Sequence, residues 1–189
     1  MIEATAAGLA WLGASLVVLA DGRRGLALGL ALLTIGFTVL AVASGLQIGG
    51  AAVAVGGGIA AWQCSRSPAA KWGIMPAGST PRLVLCIGSG LLALWVAAVV
   101  TIGPGAPLRF SVLVVLAVLG ARMLSTSELH VLLAGIAGMA LALGAAPGLE
   151  VPSAGIVPDI AGGLIAAGVM ALPRGGHVHG ISEPDERAT

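Results

Sequence analysis

The chain has 189 residues, 58% of them hydrophobic and only 9% charged, with a mean hydropathy of +1.05 and a formal net charge of +1. That balance excludes the electrostatic footprint of a nucleic-acid-binding protein. Runs that are apolar on every face, such as Leu83 to Val100, exclude a soluble helical protein, and they lack the polar–apolar alternation of a membrane β-barrel.

Stretches of roughly 17 to 20 apolar residues suffice to cross a hydrocarbon core about 30 Å thick. The first runs from near Ala4 to Ala20, and the acid at Glu3, where a secretory signal carries basic residues, predicts a retained helix. The second runs from Leu26 to Ser44, where Gly45-Leu46-Gln47-Ile48-Gly49-Gly50 offers a turn, and the third continues to about Gln63. After a polar connection the fourth spans Leu83 to Ile102, and Gly103-Pro104-Gly105-Ala106-Pro107 then breaks the chain. The fifth, Leu108 to Ala121, is short; the sixth covers Ser127 to Leu143, and the seventh Ala154 to Leu172. If Gly45 to Gly50 interrupts one helix instead of separating two, the total falls to six. The expected fold is an all-α integral membrane bundle of about seven transmembrane helices. It occupies residues 1–172 and is followed by a polar tail over 173–189.

Basic residues flanking spans are retained on the cytoplasmic side. Arg23 and Arg24 follow the first span, Arg66, Lys71 and Arg82 the third, Arg122 the fifth, and Arg174 and Arg187 the seventh. Arg109 alone falls on the other side, where Glu3 and Glu150 lie. The pattern predicts an outside N-terminus, a cytoplasmic C-terminus and residence in the cytoplasmic membrane of a bacterium as a multi-pass protein.

Chemistry-bearing residues are few. Cys64 and Cys86 fall near cytoplasmic helix ends without a CxxC spacing, so they read as small apolar fillers. His177 and His179 sit in the tail with no carboxylate or cysteine at ligand spacing, and neither a metal nor a cofactor is expected. No nucleophile stands with a base, so no enzymatic activity is expected of this chain. Trp62 and Trp72 fit interfacial anchors, whereas Trp11 and Trp95 are expected to fill gaps between helices.

Glycine is informative by placement. Gly25 and Gly29 stand four apart, as do Gly45 and Gly49, while Gly56-Gly57-Gly58 and Gly162-Gly163 clear helix surfaces within apolar spans. Small residues at that spacing let helices approach closely in lipid, and a tight bundle is expected.

Ionisable groups within a bilayer are costly, which directs attention to Asp159 and Glu128. Asp159 lies early in the seventh helix directly after Pro158, and Glu128 opens the sixth with His130 two residues on. A structural reading pairs Asp159 with Arg109 and Glu128 with Arg122, or sets each acid in a first helical turn with Ser125 or Ser127 completing a cap. A functional reading places both acids on a hydrated proton path with His130 as a relay. The remaining midplane polar groups, Ser15, Thr34, Thr38 and Ser89, are too few for conduction through this chain alone.

The last third carries Glu128, an apolar helix, a Pro-containing turn with Glu150, then Gly155-Ile156-Val157-Pro158-Asp159 and a small-residue helix to Val169-Met170. This layout resembles the end of the E-type membrane component of energy-converting hydrogenase and formate hydrogenlyase-like complexes, relatives of the K subunit of respiratory complex I. The resemblance implies a membrane-arm subunit with Glu128 and Asp159 at the positions of that family's acids. The expected function is a non-catalytic integral subunit of a larger membrane complex, structural or lining part of a proton or ion path. Its expected partners are other integral membrane subunits and lipid. The alternative is a small stand-alone oligomeric transporter or exporter, although no internal repeat of the kind many transporters carry is visible.

Overall fold

A computed structural model gives the fold, describing residues 1–20, 22–66, 105–126, 128–146 and 156–172, with 84, 87, 88, 90–92, 95, 96 and 99. The elements are α1 (Ile2–Leu19), α2 (Arg23–Ala43), α3 (Gln47–Ser65), α4 (helical residues between 84 and 99), α5 (Ala106–Leu124), α6 (Leu129–Ala145) and α7 (Ile156–Ala171). Of these, α1, α2, α3 and α5 are long and apolar enough to cross a membrane, and α6 and α7 are shorter apolar helices. Among the described residues every extended element is thus helical, and several of these helices suit a multi-pass membrane protein. Lys71, Trp72, Arg82, Cys86, Ser89, Ser127, Glu150 and the tail 173–189, with Arg174, His177, His179 and Arg187, lie outside the described residues.

Two boundaries differ from expectation for physical reasons. Pro107 does not break the chain ahead of α5; it lies in the opening positions of the helix, where its missing N–H would have no intrahelical partner. Gly105, at φ +92°, turns the chain into that first turn, and the helix reaches 19 residues, ending at Leu124. Between α2 and α3 the chain makes a full helix stop. Gly45 adopts φ +84°, its N–H donates to the Val42 carbonyl at 3.0 Å, and the Leu46 N–H donates to the Ala41 carbonyl at 2.9 Å. This left-handed closure satisfies carbonyls that α2 would otherwise leave open, and α3 starts at Gln47.

Gly45 therefore acts through its backbone and not through packing, since a Cβ there would meet nothing within 4 Å. Its spacing from Gly49 suggested a helix–helix contact, but the left-handed turn points it into open space. Gly45→Ala should destabilise the bundle by about 1 kcal/mol, because an L side chain is strained at positive φ. Reversible unfolding in mixed micelles measures it.

The helices close a ring in the order α1, α2, α3, α7, α6, α5, and α6 also reaches α2 and α3 across the interior. Leu30, Leu33 and Phe37 of α2 meet the bundle interior with Val115 and Leu119 of α5 and Leu141 of α6, all fully buried. Backbone contact sets the spacing of α1 on α2. A Cβ on Gly13 would stand 2.5 Å from the Leu33 nitrogen, and one on Gly36 would stand 2.7 Å from the Ala10 nitrogen. A Cβ on Gly29 would lie 2.9 Å from the Gly13 carbonyl oxygen, and one on Gly25 would lie 2.5 Å from the Ala20 Cβ at the α1–α2 turn. Where lipid removes the hydrophobic drive between helices, dense van der Waals contact of this kind holds them together.

Outward surfaces are apolar. Leu91, Leu92 and Trp95 of α4 are more than half exposed, so Trp95 faces outward instead of filling an interior gap. Trp62 is also exposed, and the Arg66 guanidinium lies 3.8 Å from its ring centroid at the end of α3. An aromatic body with a cation over its face suits a membrane boundary.

Candidate functional site

The first turn of α7 contains Pro158 and Asp159. Proline is tolerated there, and an acid is favourable at the positive end of the helix dipole. Two adjacent glycines seat α7 between its neighbours. A Cβ on Gly162 would lie 2.5 Å from the Ala140 carbonyl oxygen and 3.0 Å from the Gly144 Cα, both on α6. A Cβ on Gly163 would lie 2.7 Å from the Ala52 carbonyl oxygen of α3. Consecutive helical positions point about 100° apart, so one glycine serves each partner helix.

One turn earlier, Asp159 occupies the same junction. Its side chain fills the space that a side chain on Gly49 of α3 would take: a Cβ there would overlap Oδ2 and lie 2.9 Å from Cγ. From the other side, a Cβ on Gly144 of α6 would lie 2.9 Å from the Pro158 carbonyl oxygen and 3.5 Å from the Asp159 Cα. Asp159 is 1% exposed, and its Oδ2 has no hydrogen-bond partner among the described residues. A buried carboxyl oxygen left unsatisfied costs free energy, so a position that retains one is a functional candidate.

The expected Arg109–Asp159 pair does not form among the described residues. Arg109 belongs to α5, which packs on α1 and α6, whereas α7 packs on α3 and α6. Both residues start helices at one end of the bundle, but α6 stands between those helices. The coupling energy between Arg109→Ala and Asp159→Asn in a double-mutant cycle should accordingly stay within about 0.5 kcal/mol.

At the opposite end, Glu128 occupies the N-cap position of α6, and its side chain makes no capping bond. Its backbone N–H donates to Thr126 Oγ1 at 3.3 Å, and its Oε2 lies 3.7 Å from His130 Nδ1. Among the described residues this contact with His130, not one with Arg122, is the ion pair Glu128 makes, and it is charged only when the imidazole is protonated. Arg122 is buried within the last turn of α5, because that helix runs further than expected. Ser125 closes α5 instead of capping α6: its N–H and its hydroxyl both donate to the Arg122 carbonyl.

Gly144, at the far end of α6, meets Pro158 and Asp159, so α6 itself separates the two acidic positions. Along the helix axis Glu128 and Asp159 stand about 24 Å apart. The structure brings Glu128 and His130 together and leaves Asp159 remote from both.

The polar groups between them are scattered over α1, α2, α3 and α5. Thr34 Oγ1 donates to the Leu30 carbonyl at 2.7 Å beside Gly57, and Ser111 Oγ donates to the Pro107 carbonyl at 2.8 Å. Trp11 Nε1, Ser15 Oγ, Thr38 Oγ1 and Gln63 Oε1 are buried without partners among the described residues. Gln63 and Ser111 add to the polar set expected from sequence; each is a single polar residue near the end of an apolar run. Cys64 is buried, and its thiol donates a weak hydrogen bond to the Arg23 carbonyl at 3.5 Å.

Among the described residues no group of three or more His, Cys, Asp or Glu side chains could hold a metal ion. A groove of about 460 Å³ follows α6 between α5 and α7, lined by Met123, Ile136, Met139, Leu143, Pro158 and Ile165 among others. Its lining contains no charged or hydrogen-bonding side chain, so it offers none of the convergent polar groups that orient a small-molecule ligand. Comparison of the chain with protein-family models, with curated proteins and with solved structures finds no match.

Proposed function

We propose that the chain is a non-catalytic integral subunit of a larger membrane complex and lines one segment of a proton or ion path, as in a hydrogenase- or complex-I-like membrane arm. In this reading α1 to α7 all cross the cytoplasmic membrane of a bacterium, with the N-terminus outside. The ends bearing Arg23, Arg24, Arg66 and Arg122 then face the cytoplasm. The observation that carries the reading is the buried carboxyl of Asp159, which has an unsatisfied oxygen and a seat formed by glycine.

A continuous path needs ionisable or hydrated groups in succession. Here Glu128 with His130 lies at one end and Asp159 at the other, about 24 Å away. Neighbouring subunits must supply the intervening groups, which favours a subunit over a stand-alone carrier. The test is flux through vesicles containing this chain alone. Proton flux should match that of empty vesicles; flux above that level that disappears in Asp159→Asn would establish the stand-alone transporter instead.

A further inference from the structure

We propose that Asp159 is a proton-dependent latch whose carboxyl, seated against Gly49, holds the first turn of α7 against α3 and α6. The inference rests on the reading of Asp159 as an ion-path residue and says how that residue would act: by moving a helix end instead of relaying a proton through a fixed wire.

The seat is defined by shape. Gly49 leaves the space that the carboxyl fills, and Gly144 allows the backbone at Pro158 and Asp159 to lie on α6. Among the described residues nothing donates to Oδ2 there. An ionised carboxylate in this seat would have to be compensated from the surrounding helices, and the charged and titratable groups of those helices are elsewhere. Cys64 of α3 lies at the far end of its helix beside Arg23, and His130 of α6 lies at the far end beside Glu128. Within α7, Asp159 is the single titratable residue. Arg109 lies on α5, beyond α6, and Glu150 falls outside the described residues.

Loss of the proton to the aqueous phase thus leaves a buried charge opposed, among the described residues, by the α7 dipole alone, and the relief available is for the carboxyl to leave the seat for water. Little structure has to move. Asp159 is in the first turn, whose carbonyls accept from the N–H groups of Ile160 to Gly163, so opening that turn alone exposes those four amides. Proton release and opening of the α7 end are therefore linked, and raising the pH favours the open state.

The test is hydrogen–deuterium exchange of the full chain in nanodiscs, followed at Ile160 to Gly163 across neutral pH and corrected for intrinsic exchange. The wild type should lose protection by about tenfold per pH unit above the transition, while Asp159→Asn should show no pH dependence beyond the intrinsic rate. Equal pH dependence in the two proteins would overturn the latch. Gly49→Ala supplies a second reading: with the seat filled, α7 should exchange rapidly at every pH, and wild-type protection in this variant would also overturn the proposal. No partner subunit is needed for either measurement, so the latch and the subunit reading can fail independently.

Discussion

Gly56→Leu should separate α3 from α7 and destabilise the bundle by more than about 3 kcal/mol, whereas Gly58→Leu, on the same helix, should change stability by less than about 0.5 kcal/mol. The contrast is geometric. A Cβ on Gly56 would overlap the backbone of Gly163, and one on Gly163 would lie 2.7 Å from the Ala52 carbonyl oxygen, so neither surface can yield by turning a side chain. A Cβ on Gly58 would meet nothing within 4 Å. Denaturation in mixed micelles with increasing dodecyl sulfate measures both variants on one scale. Equal loss at the two positions would contradict the α3–α7 contact as the cause, since helix propensity by itself favours leucine over glycine.

Asp159→Asn should lower the ion-coupled activity of the assembled complex by about 100-fold, the scale expected when a positioned proton-transfer group is removed. Assembly itself should be unchanged, because Asn has nearly the same shape and fits the space over Gly49. Arg109→Ala should leave both assembly and activity close to wild type, since α6 lies between its helix and α7. Activity measured per assembled complex separates the two roles: a structural acid would lower the amount of complex, and a proton-carrying acid would lower its turnover.

The extent of each described helix was legible in the sequence, and lateral position was not. Hydropathy marks where a helix crosses, because lipid offers no partner to an exposed backbone group. The apolar runs accordingly located all the described helices to within a few residues. The same reasoning placed Arg109 and Asp159 at one boundary but carried no information about which helices are neighbours around the bundle. That order depends on side-chain packing between segments far apart in the chain, and it sets α6 between the two residues. Proline misled at α5 because Pro107 reads as a breaker within a run of Gly and Pro, although the first helical positions accept it at no cost in hydrogen bonds.

Glycine spacing was ambiguous in a similar way. Gly45 and Gly49 share the four-residue interval of a packing motif, yet one closes α2 at positive φ and the other makes room for a carboxyl. Spacing reports which residues share a helix face, and only while the helix continues; it says nothing of φ. The site was legible at the level of Asp159 as an unusual residue, because an acid inside an apolar run is conspicuous. Its seat on Gly49 was not, since it joins two helices more than a hundred residues apart in sequence.

The most direct measurement is native mass determination of the tagged chain purified from its own membrane in mild detergent, with identification of every polypeptide that co-migrates. The account predicts a stoichiometric assembly in which larger integral membrane subunits accompany this chain. A monomer or a homo-oligomer of this chain alone would contradict it.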